Sequence, residues 1–359
     1  MRQLEVACAR LSMLPSDGEV TDRNGEVRME QQPVTMADVA RAAGVSVTTV
    51  SYVLSGKRPV APAKRDAVQA AITKLGFRLN TVAQSLRTGR SSTVALIIPD
   101  IANPFYAQLA RGLQDALRPD KYHVVVCNTN AERAEELLYL DDAVKRWLDG
   151  VVITPSWLVP DDFDALQAAG IPVVVSADTE MDGLDLVRAD SQGAIDQAVG
   201  HLAQEGHRRL GMLVGPAGTP AGDPRLELYR AAAGRHGLDL PASLVVRGKH
   251  TREAGVAGLR RLMNRKNPPT AIACVNDLTA IGALEAAEQM GLAVPSDVAL
   301  IGHDDIEVAS LVRPRLSTIR YPAHEVGSVC GRLLLERIGG RAGQAEVALR
   351  TQLVLRETT

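Results

Sequence analysis

Residues able to do chemistry gather at one kind of place in this chain: directly after short runs of Val, Ile, Leu and Ala. Pro99-Asp100, Asn128-Thr-Asn130, Thr154-Pro-Ser-Trp157, Ser176-Ala-Asp178, Asn276-Asp277 and His303-Asp304-Asp305 all stand there. Such carboxylates and amides accept from and donate to the hydroxyls and amines of a bound molecule. The spacing that covalent or metal chemistry needs does not accompany them. There is no HExxH, GxSxG or CxxC, and the glycine-rich loop 215–222 lacks the GK[ST] of a phosphate loop. His201 and His207 are six apart on a helix end, a spacing that suits a cap and a surface position better than a metal. Binding without catalysis, metal or cofactor is the expectation.

A second constellation is electrostatic. Between Met29 and Ser91 nine Lys and Arg face three acids, a segment of +6. The whole chain is −2, so the remainder carries −8. A compact basic segment on an acidic body is the footprint of a nucleic-acid-reading module. The four cysteines, Cys8, Cys127, Cys274 and Cys330, are far apart, and two sit inside apolar runs as small hydrophobes. That usage fits a reducing compartment. No stretch of 18 apolar residues exists, so no membrane partner is expected.

The elements that must position these residues follow from pattern. Thr35 with Asp38 three residues on reads as a helix-starting box, and Gly44 as the stop. Ser46 then caps a short helix, residues 47–54, with Val50 and Leu54 inward and Val47, Thr48, Ser51 and Tyr52 outward. Two helices joined by a short Gly-containing turn make a helix-turn-helix. A third helix starts near Pro62 with Val68, Ile72 and Leu75 as its buried stripe. Beyond residue 92, apolar runs at 94–98, 124–127, 151–153, 173–175, 210–214, 244–246, 272–275 and 298–301 alternate with helical patterns. That alternation means parallel sheets covered on both faces, divided into two doubly wound lobes. Ligands of such sheets bind beyond the carboxyl ends of the strands, where the polar residues stand. Trp157 and His250 lie on the same rim.

The stretch from Val34 to Ser51, Val-Thr-Met-Ala-Asp-Val-Ala-Arg-Ala-Ala-Gly-Val-Ser-Val-Thr-Thr-Val-Ser, closely resembles the head of lactose-repressor-type (LacI/GalR family) regulators. Further along, Val82-Ala-Gln-Ser-Leu86, Asp100-Ile-Ala-Asn-Pro-Phe-Tyr106, Pro224-Arg-Leu226, Gly302-His-Asp-Asp305 and Leu316-Ser-Thr-Ile319 resemble it in the same order. The resemblance implies an all-α helix-turn-helix head on an α/β periplasmic-binding-protein-like core of two doubly wound parallel-sheet lobes. It implies a homodimeric repressor of a near-palindromic double-stranded operator, controlled by a small sugar-like effector. It assigns base reading to Val47, Thr48 and Tyr52, and helix capping and phosphate contact to Thr35, Ser46, Thr49 and Ser51. It makes residues 79–91 a hinge helix, with Asn80 at its start, Val82 and Ala83 on its supporting face, Leu86 as a minor-groove wedge and Arg87 toward phosphate. Effector contacts fall to Phe105, Tyr106, Trp157, Asp178, Arg225, His250, Asn276, Asp277 and Asp304. The sequence departs from the pattern at Ala61, where a serine cap is usual, and at Ala177, where an acid is frequent.

The expected division is a disordered extension (1–32), the helix-turn-helix domain (33–78), the hinge (79–91) and the core (92–359). Within the core, lobe 1 takes about 92–177 and 322–340, and lobe 2 about 178–321 and 341–359. A secreted sugar-binding protein shares such a core, but it needs a secretory signal and no DNA head. Glu5 and Arg10 spoil a signal here. The expected location is the cytoplasm, and an α/β enzyme is the least favoured alternative.

Overall fold

A computed structural model describes residues 34–56, 58–77, 90–146 and 148–359, with the backbone of Val20–Thr21 and Val27–Arg28. Those last two segments, β1 and β2, form an antiparallel pair two residues long, within the stretch expected to be unstructured. The chain divides into two compact units, Met1–Gln84 and Ser85–Thr359.

In the first unit, α1 (Met36–Ala43) begins with a reciprocated capping box. The Asp38 amide donates to Thr35 Oγ1 at 3.3 Å, and the Thr35 amide donates to Asp38 Oδ2 at 3.0 Å. Gly44 ends the helix at φ +65, a conformation that only a residue without Cβ adopts freely. Then α2 (Val47–Ser55) starts at Ser46, whose Oγ accepts the Thr49 amide at 3.1 Å. Third comes α3 (Pro62–Leu75), whose N-cap Ala61 offers no side-chain bond. Val39, Ala40, Val50, Val68 and Ala71 form the core of this unit. Leu54 is not part of it: in the last turn of α2 it points outward, and Val53 packs in its place.

The second unit holds two six-stranded sheets. The first has the order β13-β7-β6-β5-β3-β4: Glu346–Arg350, Asp185–Asp190, Val173–Ser176, Gly150–Ile153, Thr93–Ile98 and His123–Asn128. All its pairings are parallel. The second has the order β14-β12-β11-β10-β8-β9: Gln352–Val354, Ser317–Arg320, Ala299–Asp304, Ala271–Cys274, Leu210–Val214 and Val245–Arg247. Only β14 runs antiparallel to its neighbour.

This topology moves the lobe boundaries from where the sequence pattern set them. Residues 185–190 and 346–350 belong to lobe 1: β7 pairs with β6 and β13, and Leu186, Val187 and Ala189 bury in lobe 1 clusters. The chain therefore crosses between lobes after β7, after β12, and at Thr351 between β13 and β14. The Thr351 amide and hydroxyl both donate to the Asp190 carbonyl at 3.2 Å, which fastens two of these crossings together.

One helix pair in each lobe aims its N-termini at the cleft between the sheets. In lobe 1, α4 (Pro104–Leu117) lies along α11 (Ala323–Ile338). A Cβ at Gly327 would land on the Leu109 carbonyl, so glycine is what allows that approach. In lobe 2, α9 (Arg252–Met263) lies along α10 (Asp277–Gln289), where a Cβ at Gly282 would strike the Arg252 carbonyl. The remaining helices relevant to the site are α5 (Arg133–Lys145), α6 (Asp164–Ala168) and α7 (Gln192–Gln204), and α8 (Pro224–His236), whose first turn carries Arg225.

Candidate functional site

The cleft between the two lobes brings together residues from both. Arg225, in lobe 2, places Nη2 3.1 Å from Oδ2 of Asp178, which follows β6 in lobe 1. Its Nη1 donates to the Val275 carbonyl at 2.8 Å, and its Nε is buried with no partner. Asp178 Oδ1 is likewise buried and unpartnered. Burial works against the Arg225 charge, and the carboxylates of Asp178 and Asp304 more than offset it. Asp304 ends β11 at φ +117, a backbone angle that L residues adopt only under strain. Its carboxyl has no hydrogen-bond partner among the described residues, and burial holds its pKa well above the carboxylate range despite Arg225. The neighbouring Asp305 is spent on Arg320 and Arg356.

Aromatic rings cover this polar floor. Phe105 stands edge-on to Tyr106 and to Tyr321, with centroids 5.1 Å apart in both cases. It packs against the apolar clusters of both lobes. Burial and the Asp304 carboxylate push the Tyr106 phenol up. His303, fully buried next to Tyr321, has no partner for either ring nitrogen. Burial and then the Arg225 charge hold its pKa well below the usual imidazole value. His250 has a solvent-exposed edge, while protein atoms crowd the rest of its ring. The same two causes bring its pKa down to about 4, so it is neutral at pH 7. Buried polar groups in folded proteins nearly always find partners. Several orphans around one guanidinium therefore mark a place shaped for a guest.

Three expected effector residues stand differently. Asp277 has no exposure at all: Oδ2 accepts the Ile306 amide at 2.9 Å and Oδ1 accepts the Thr318 hydroxyl at 2.5 Å. It braces the interior of lobe 2 and does not line the cleft. Asn276 is the N-cap of α10, its Oδ1 accepting from the Thr279 amide and hydroxyl and its Nδ2 donating to the His250 carbonyl. Trp157 spends its indole N–H on the Ala131 carbonyl at 2.6 Å, in a loop clamped by the buried Glu136. Tyr321 and His303 were not among the expected contacts. Tyr321 follows β12, a strand with too few apolar residues to stand out, whereas His303 adjoins Asp304 and was open to recognition. Two shallow surface hollows, one lined by Asp190, Gln192, Gly193, Asp196 and Arg235 and one between Leu284 and Pro314, share none of these residues.

In the helix-turn-helix unit, α2 presents Val47, 45% exposed, and Thr48, also exposed. Tyr52 is half-buried with the Arg58 guanidinium 5.4 Å from its ring centre. The Thr49 hydroxyl pairs with Ser46 Oγ at 2.9 Å, and Ser51 accepts the Ser55 hydroxyl at its carbonyl. The expected hinge contacts Asn80, Val82, Ala83, Leu86 and Arg87 lie outside the described residues. Among the described residues no helix is long and apolar enough to cross a membrane, and no cluster of three or more His, Cys, Asp or Glu forms a metal site.

Comparison with known proteins gives this geometry its family. Residues 35–80 match the model of bacterial regulatory proteins of the lacI family, and residues 199–359 match a periplasmic binding protein-like domain. Catabolite control protein A of Priestia megaterium is 34% identical over 303 residues, 84% of this chain and 91% of that protein. The lac repressor dimer bound to operator and the anti-inducer ONPF superimposes with a TM-score of 0.81 at 26% identity, covering 91% of this chain and 99% of that one. A complex of the transcriptional regulator CelR with cellobiose gives 0.68 at 32% identity, covering 91% of this chain and all of that one. The fold, the capped helix-turn-helix and the extent of these matches agree: the chain belongs to the lacI family of bacterial regulatory proteins.

Proposed function

We propose that this protein is a transcription regulator, acting as a repressor in the cytoplasm and without catalytic activity. As a homodimer it binds a near-palindromic operator, and a small sugar-like effector in the cleft controls that binding. Two identical heads reading two half-sites account for the dimer and the palindrome together. Val47, Thr48 and Tyr52 meet base edges; Thr35, Ser46, Thr49 and Ser51 set the helices and reach phosphate. Residues 79–91 act as the hinge, through Asn80, Val82, Ala83, Leu86 and Arg87. In the cleft Arg225, Asp178, Asp304, Phe105, Tyr106 and His250 hold the effector, with Tyr321 and His303 beside them.

One observation carries this reading: unpartnered buried polar atoms of Arg225, Asp178 and His303 converge under a set of aromatic edges. Donors and acceptors beneath apolar rings are what a polyhydroxy ring requires. The relatives support it, since one solved neighbour is a repressor on its operator and another holds cellobiose. The experiment is to enrich operators from a random duplex library and titrate the best by fluorescence anisotropy, with and without each of a panel of neutral sugars. Equal affinity for operator and scrambled duplex would falsify the regulator reading. An operator affinity that no sugar changes would remove the effector.

A further inference from the structure

The Arg225–Asp178 ion pair spans the cleft at 3.1 Å. An anionic group binds a guanidinium best through the paired donors along one edge. Here each terminal nitrogen already holds one partner: Nη1 the Val275 carbonyl and Nη2 the Asp178 carboxylate. An arriving phosphate or carboxylate therefore meets a cation already neutralised. The field of Asp100 also reaches the same wall, at Tyr106. A hydroxyl meets the opposite situation. Arg225 Nε is free to donate, Asp178 Oδ1 is free to accept, and the unpartnered nitrogens of His303 take either role.

We propose that Asp178 sets the charge class of the effector: by pairing with Arg225 across the cleft it admits uncharged, hydroxyl-rich molecules and turns away phosphorylated and carboxylated ones. Asp178 is then a specificity residue more than a simple contact. The inference rests on the reading of the cleft as an effector site, and its test separates the two.

The full-length protein, Asp178→Asn, Asp178→Glu, Arg225→Ala and the double variant Asp178→Asn/Arg225→Ala are compared by calorimetry and thermal melting. The probes are inorganic phosphate and D-ribose 5-phosphate at constant ionic strength, with D-ribose and cellobiose as neutral probes. The wild type responds to the two anions no more than Arg225→Ala does, which discounts anions held on the basic head. Asp178→Asn frees Nη2 and binds them about tenfold or more tightly than the wild type. The double variant loses that gain, and Asp178→Glu behaves as the wild type. An anion response of the wild type that Arg225→Ala removes overturns the proposal. So does a folded Asp178→Asn without the gain. Should Asp178→Asn fail to fold, the comparison of wild type with Arg225→Ala still decides. If the anion results hold but no neutral sugar stabilises the wild type, the charge selection stands and the sugar effector falls.

Discussion

Thr318 Oγ1 donates to Asp277 Oδ1 inside lobe 2, joining β12 to the first turn of α10. With the Ile306 amide on the other oxygen, the carboxylate is held from both sides and away from the cleft. Asp277→Ala leaves a buried hydroxyl and a buried amide unpartnered, a loss of about 2–4 kcal/mol. Burial raises the Asp277 pKa to about 7. A native pKa above the unfolded value means that its contribution is complete at low pH and is lost as pH rises toward 7. Urea midpoints at pH 5 and pH 8 check both points. The wild type loses stability between them through this group, and Asp277→Asn shows a smaller difference.

The head offers a test of local capping. Thr35→Ala and Ser46→Ala each remove an oxygen that accepts a first-turn amide, at a cost of about 1 kcal/mol. Ala61→Ser supplies α3 with the cap it lacks and gains up to about 1 kcal/mol. Amide hydrogen exchange across residues 36–75 reads these changes in the intact protein. Unchanged protection in Ser46→Ala would mean that α2 is held by packing alone.

The fold was legible wherever a strand is buried on both faces. Residues 94–98 and 210–214 are unbroken apolar runs because helices cover both sides of their sheets. Asp185-Leu-Val-Arg-Ala-Asp190 and Ser317-Thr-Ile-Arg320 gave no such run. β7 begins with Asp185, which grips Arg337, and β12 carries Ser317 and Thr318 inward on hydrogen bonds. The lobe boundaries moved because β7, and β13 beside it, pair into the lobe 1 sheet.

Base reading by α2 is tested at its exposed end. Val47→Ala and Thr48→Ala remove groups that pack against nothing essential in their own unit, so stability barely changes. Each weakens operator binding by about 1–3 kcal/mol while leaving affinity for scrambled duplex alone. Arg58→Ala instead weakens both equally and lowers the salt slope by about one. A uniform loss in Thr48→Ala would reassign that residue to phosphate.

His303 supplies a second pH dependence of opposite sign. Its pKa lies well below the ordinary imidazole value, so the unfolded chain takes up the proton first. Stability from this source is present above about pH 6.5 and is lost as pH falls below it. His303→Phe keeps an aromatic ring beside Tyr321 and removes the titration. Its melting temperature falls less than the wild type's from pH 7 to pH 5. Identical profiles would place the acid sensitivity elsewhere, at His250 first.

The site was legible in part, and the division has a physical cause. Sequence position identifies the end of a strand but not the side of the sheet on which the next side chain falls. Asp304 ends one β-strand of lobe 2 and Asp277 closely follows another; one faces the cleft and the other turns inward as a brace. Arg225 and Asp178 were both expected contacts, yet nothing in their separation of 47 positions shows that they pair with each other.

Arg225→Ala separates effector binding from DNA binding. The side chain touches Asp178 and Val275, both in the second unit, and none of the residues assigned to base reading. Its pair with Asp178 is 22% exposed on each side, so losing the attraction alone costs roughly 1 kcal/mol or less of stability. A bound ligand loses more, because a hydroxyl that had accepted from the buried Nε is left without a donor. That costs about 2 kcal/mol, on the order of thirtyfold in affinity. Effector regulation works only through a difference in affinity between two states of the core, so weakening the grip removes the shift. Calorimetry with whichever neutral sugar stabilises the wild type gives the first number, and operator anisotropy with and without that sugar gives the second. The expected result is a protein that binds operator at nearly wild-type affinity and no longer answers to the sugar. Wild-type sugar affinity in Arg225→Ala would move the effector out of this cleft, and a lost operator complex would show that the arginine shapes the DNA-binding state itself.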